Sequence, residues 1–134
     1  MKKNKNNLNK KKVKISKIIK DKDLDLFITL SGDNNPIHVD KFKAKKYNFK
    51  GRVVHGALLI SYFSKIIGTK LPGKNSLILF SEYKFHNPAF LNEKIIFTVK
   101  IMNFSVSTKT YELELMAKFK KKLIMTGKVV SIKL

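Results

Sequence analysis

Residues 31–40 read Ser31-Gly32-Asp33-Asn34-Asn35-Pro36-Ile37-His38-Val39-Asp40, the densest collection of reactive side chains in the chain. Asp33 and His38 stand five residues apart. A carboxylate beside an imidazole can hold a water between them, one group taking a proton while the other gives one elsewhere. Pro36 fixes its own φ and pushes Asn35 towards extended geometry, so no regular helix or strand sets the two side by side; a rigid turn could. The same residues also serve plain turn chemistry, with Asp33 capping a turn, His38 an ordinary loop histidine and Asn34-Asn35-Pro36 reversing the chain. A second segment bears on the choice. Gly51-Arg52-Val53-Val54-His55-Gly56 leads into an apolar stretch, and Gly56 stands at its start. A backbone N–H in the first turn of a helix has no partner within that helix and, with the dipole behind it, suits an anionic oxygen. Carboxylate, imidazole, water and oxyanion donor together form an acid–base site.

The elements that must hold these groups can be read from periodicity. Val13 and Ile15 alternate with lysines as in a first strand. Asp21 sits where an N-cap belongs, ahead of Leu24, Phe27, Ile28 and Leu30 at helical spacing, and Gly32 can end that helix. Residues 32–50 should be largely loop, with a short helix capped by Asp40. Residues 57–67 are apolar on nearly every face and stop at Gly68, so this helix should be buried nearly all round. Four strand-like segments follow, at about 76–85, 94–103, 109–119 and 123–133. In the third of them Tyr111, Leu113, Leu115, Ala117 and Phe119 alternate with Glu112, Glu114 and Lys118, the pattern of an antiparallel sheet with one wet face. One apolar helix followed by such strands predicts an α+β fold in which a sheet curls around a central helix. A flat sheet covers only one side of that helix, which points to curvature or a partner subunit.

Composition narrows the function classes. At 134 residues, 43% of them apolar and ten of them Phe, the chain has material for one core. Residues 1–12, mostly Lys and Asn, read as a disordered basic tail, leaving 13–134 as a single domain. Without cysteine there are no disulfides, no Cys-based zinc site and no thiolate nucleophile. The longest mainly apolar run, 57–63, is too short to span a bilayer and no signal peptide is evident, so the expectation is a soluble cytoplasmic protein. The net charge of +20 invites a nucleic-acid reading. Yet Arg52 is the only arginine among 29 basic residues, whereas specific readers of bases favour the arginine fork, and no nucleic-acid signature is present. Attraction of an anionic substrate carrier, or a merely solvated lysine surface, accounts for the charge as well. The three histidines do not show metal-ligand spacing. His55 would shape the turn or pack, His86 would lie at a surface corner, and Arg52 would contact a carboxylate or a phosphate.

The two motifs, continued by Ser61-Tyr62-Phe63-Ser64, Leu71-Pro72-Gly73-Lys74 and residues 85–90, resemble the signature of MaoC-like dehydratases and (R)-specific enoyl-CoA hydratases. The resemblance implies a hot-dog fold, a long helix wrapped by an antiparallel sheet, and a homodimer or dimer-based oligomer with sites near the subunit interface. It implies (R)-specific hydration of trans-2-enoyl thioesters, or the reverse dehydration of (R)-3-hydroxyacyl thioesters, and so a lyase of fatty acid metabolism. Asp33 would deprotonate the water that attacks C3, His38 would protonate C2 and the Gly56 N–H would hold the enolate-like oxygen. Ser64 matches a serine that helps order the site, although a hydroxyl bonded to a backbone carbonyl one turn back explains it equally. Asn35, Pro36 and His55 would support the loop. No metal or cofactor is implied, coenzyme A or acyl carrier protein entering as part of the substrate. A dehydratase for a carrier-protein-bound or specialised acid, and a hot-dog module that binds acyl thioesters without turnover, are the competing readings. Leu59, Tyr62, Phe63, Leu79 and Phe80 could narrow the acyl tunnel.

Overall fold

A computed structural model describes residues 11–134. The basic tail assigned to residues 1–12 therefore lies, up to residue 10, outside the described residues. Strand β1 (Lys12–Ile18) is followed by helix α1 (Asp21–Ser31), two short helices α2 (Pro36–Val39) and α3 (Lys41–Lys46), and helix α4 (Gly56–Thr69). Strands β2 (Ser76–Phe85), β3 (Lys94–Ser105), β4 (Thr110–Phe119) and β5 (Lys122–Lys133) complete the chain. All five strands form one antiparallel sheet in the order β1-β3-β4-β5-β2, so β1 and β2 are its edges.

The expected strands are present, and their alternation sorts side chains as predicted. On β4, Leu113, Leu115 and Ala117 are buried while Glu112, Glu114 and Lys118 face water. Their neighbours Ile95, Phe97 and Val99 on β3 and Ile124, Met125 and Val129 on β5 join the same core. Helix α4 lies against this face, with Leu58, Leu59, Phe63, Ile66 and Ile67 buried. Phe63 meets Phe97 edge-on at 5.2 Å and Tyr62 meets the same ring at 5.2 Å, an arrangement the ring quadrupoles favour.

Three local expectations need correction. The N-cap of α1 is Lys20, not Asp21, because the Asp23 carboxylate accepts the Lys20 backbone N–H at 2.9 Å and moves the helix start by one residue. Gly68 does not stop α4, which runs on to Thr69; the backbone N–H of Lys70 still closes on the Ile66 carbonyl, and nothing in a lone glycine forbids that. Nor is α4 covered all round, since Ala57, Ser61, Ser64 and Lys65 stay exposed in the single protomer. The sheet and Leu24 of α1 cover the other faces. Gly32 ends α1 as expected, in the left-handed conformation at φ 75° that a side chain would disfavour.

Candidate active site

Two helix ends and one turn build the site. The chain leaves α1 through Gly32 and turns at once. The Ser31 hydroxyl donates to the Phe27 carbonyl at 2.7 Å and accepts the Asp33 backbone N–H at 3.1 Å. The Asp33 Oδ1 then accepts the Asn35 N–H at 3.2 Å, which leaves Oδ2 on a half-exposed carboxylate. Asn35 caps α2, with Pro36 in the first turn where its missing N–H is harmless. The loop expected here thus contains a turn of helix, and that turn carries His38. Asp40 caps α3 as expected, accepting from the N–H groups of Phe42 and Lys43.

His38 is 9% exposed, and its Nδ1–H donates to the Val53 carbonyl at 2.6 Å. A carbonyl only accepts, so the tautomer is fixed and Nε2 is the atom left for chemistry. His55 is 1% exposed and stacks on His38, ring centroids 3.8 Å apart and planes 25° from parallel, with Phe27 on its flank at 4.8 Å. Its Nε2–H donates to the Asp33 carbonyl at 3.0 Å, so this ring holds the Asp33 backbone and backs the His38 ring. Asp33, His38 and His55 present side-chain donor atoms within 4.8 Å of one another. One water reaches two groups across such a gap, since each of its hydrogen bonds spans about 2.8 Å. The two rings lie nearly parallel, so their in-plane lone pairs run side by side and do not converge on one point as the ligands of a metal would.

Burial pushes the His55 imidazole below its ordinary value of 6.5, against the opposing hydrogen bond to Asp33. Its buried Nδ1 has no partner among the described residues, so a proton there would be poorly accommodated. The unfolded chain binds that proton near pH 6.5 and the folded one resists it, so stability is complete above that value and declines as the pH falls below it. Thermal midpoints followed from about pH 7.5 to about pH 5 should fall more steeply for the wild type than for His55→Gln, which keeps a donor but does not titrate. Parallel curves would refute the assignment.

Gly56 opens α4 with His55 as its N-cap residue and no side chain capping the end. The Phe85 ring stands 2.7 Å from where a Cβ on residue 56 would lie, so only glycine lets ring and helix end approach this closely. Between them opens a cleft of about 410 Å³ bordered by His38, Gly56, Leu59, Phe85, His86 and Pro88 among others. A second depression, of about 440 Å³, is bordered by Glu82, Glu114, Thr126 and Lys128, with none of Asp33, His38, His55 or Gly56 at its wall.

The structure thus gathers Asp33, His38, His55 and Gly56, with Asn35 and Pro36 shaping the turn. Ser64 is exposed on α4, two turns beyond Gly56; neither it nor Asp33 borders the cleft, and Asp33 joins the group through its closeness to His38 and His55. Of the residues considered for the acyl tunnel, Leu59 borders the cleft, Phe63 belongs to the core, and Leu79 and Phe80 are exposed on β2. His86 is exposed at the corner after β2, as the sequence placed it, and there it also borders the cleft; its Nε2 meets the Thr126 hydroxyl at 2.8 Å. The one available signal was its position at the end of a strand that returns beside the Gly56 segment.

A family model described as a MaoC-like domain matches residues 3–121. The (R)-specific enoyl-CoA hydratase of Aeromonas caviae is 36% identical over 90 residues, 67% of this chain and 67% of that protein. The (R)-specific enoyl-CoA hydratase of Rhodospirillum rubrum is 34% identical over 87 residues, 65% of this chain and 60% of that protein. The matched region therefore spans about 60–67% of the length of these relatives. The solved structure of the (R)-hydratase from A. caviae involved in PHA biosynthesis superposes with a TM-score of 0.89 over 93% of this chain and 96% of that one, at 29% identity. With its five-stranded antiparallel sheet laid against α4 and its polar turn beside the start of that helix, the chain belongs to the MaoC-like family and has the hot-dog fold.

Proposed function

We propose that this chain is a hydro-lyase that adds water to trans-2-enoyl thioesters to give (R)-3-hydroxyacyl thioesters, and runs the reverse dehydration. The observation that carries this reading is the Asp33–His38 pair, whose side-chain donor atoms lie within 4.8 Å of one another in the turn that precedes the start of α4, an end no side chain caps. In the hydration direction the water gives a proton to the Asp33 carboxylate as its oxygen bonds to C3. Electron density moves through C2 towards the thioester oxygen, which the Gly56 N–H and the helix dipole stabilise. The imidazolium form of His38 gives its Nε2 proton to C2, since Nδ1–H is committed to Val53. The proton left on Asp33 returns to His38 across the same gap, which resets the pair. No metal or organic cofactor is needed, because the thioester carbonyl already activates the alkene.

A homodimer and a cytoplasmic location complete the proposal. Edge strand β2 presents Leu77, Ile78, Leu79 and Phe80 to solvent in the single protomer, and Phe85 at its end borders the cleft. A long apolar edge of this kind is a template for pairing with another strand, and a second copy's β2 supplies one. Coenzyme A is the proposed carrier. Acyl carrier protein, to which a chain of net charge +20 is also suited, is distinguished by changing the carrier at a fixed acyl chain. The primary test follows the loss of enoyl absorbance with crotonyl-CoA, with the molar mass in solution measured alongside. Turnover by a dimer is the expected outcome, and binding of the thioester without turnover would overturn the catalytic reading.

A further inference from the structure

Arg52 is the only arginine among 29 basic residues, and it does something no lysine can. Its side chain is 13% exposed and donates in three directions. Nε–H reaches the His38 backbone carbonyl at 2.7 Å, Nη1 the Asp21 carboxylate at 3.0 Å and Nη2 the Asp25 carboxylate at 2.7 Å. Asp21 and Asp25 are four apart on α1 and so share one helix face, turned to receive a planar fork. A lysine offers one nitrogen and cannot reach three acceptors held in a plane on two elements.

These three contacts join the pieces that carry the reacting groups. Asp33 follows the far end of α1, His38 rides on α2, and Arg52 itself lies four residues before Gly56, with Val53 accepting from the His38 ring. We propose that Arg52 is a positioning residue for the hydration assigned above: it locks α1, α2 and the segment entering α4 in one register and so sets the gap between the Asp33 carboxylate and His38 Nε2. It touches neither water nor substrate. The two carboxylates that hold it, Asp21 and Asp25, belong to the same device although both lie on the protein surface.

This inference rests on the proposed hydration, so the experiment has one readout that does not. Arg52→Lys keeps the charge and removes the fork; Asp21→Asn with Asp25→Asn weakens the strut from its other end. With crotonyl-CoA, both proteins should lose about 10- to 100-fold in kcat, with KM changed by less than about threefold, because a misplacement on the order of 1 Å is enough for that. Nitrogen-15 spectra of the imidazoles should show the slowly exchanging Nδ1–H of His38 in the wild type and its loss in Arg52→Lys. A purely structural part would lower the melting temperature of both variants and leave kcat per folded molecule at the wild-type value; that outcome overturns the proposal. If the wild-type protein shows no hydration, the proposed function fails by itself and the spectra alone decide: an unaltered His38 signal in Arg52→Lys overturns the positioning role, and its loss supports it.

Discussion

Replacing Asp33 by Asn should lower kcat for crotonyl-CoA hydration by about two to four orders of magnitude, the usual worth of a positioned proton-transfer group, with little change in KM. The substitution is nearly isosteric. Asn Oδ1 can still accept the Asn35 N–H that shapes the turn, and the His55 ring still donates to the residue 33 carbonyl, neither contact depending on charge. What disappears is the group proposed to take the proton from the attacking water. His38→Gln should lose a similar factor. Because the proton Asp33 takes from the water is the one that recharges His38 after it protonates C2, neither group can complete a cycle alone, and the double variant should be scarcely slower than either single one, which is the signature of residues working as a unit. Losses that instead multiply would mean that the two proton transfers are not linked through the returning proton. Wild-type rates in all three variants would show that the reaction takes place elsewhere.

The largest effect on stability should come from Phe63→Ala. Phe63 is fully buried, sits in the middle of α4 and meets Phe97 of β3 edge-on. Removing a buried ring costs about 3–5 kcal/mol when the surroundings cannot close over the cavity. A sheet pinned on both sides by antiparallel neighbours gives little room for collapse, since β3 lies between β1 and β4. Set against a total of roughly 5–15 kcal/mol, that is a large share of the stability. The melting temperature should drop by on the order of 10 °C or more. The proposed catalysis should suffer as well, because α4 fixes the position of the Gly56 N–H relative to His38. A drop of less than about 3 °C would mean that α4 is held by contacts other than the core face.

Much of this molecule was readable before any fold was known, and the reasons are local. Strand alternation on β4 is a property of neighbouring side chains, so Leu113, Leu115 and Ala117 declared their face directly. Gly32 and Asp40 act within a turn of their own positions, and both ended or capped helices as their chemistry requires. Asp21 misled because two nearby carboxylates compete to cap α1, and Asp23 reaches the backbone of Lys20 while Asp21 turns towards an arginine 31 residues away. His86 is exposed at the corner after β2 as its sequence suggests, but that it also borders the cleft depends on how β2 returns beside α4, and no short spacing encodes that.

By itself the sequence determined which side chains could perform acid–base chemistry, where the strands and the two long helices fall to within a residue or two, and that β4 has one apolar face. Those properties follow from side-chain type and a period of two or 3.6 residues, both complete within a few positions. Only the tertiary structure decided that His55 stacks beneath His38 and donates to Asp33, that Nδ1 of His38 is spent on Val53, and that the sole arginine ties α1 to the turn carrying His38. Each of those contacts joins residues 14 to 31 positions apart. Contacts at that range exist only once the chain has closed its loops around a common core, so they depend on where all the elements come to rest together.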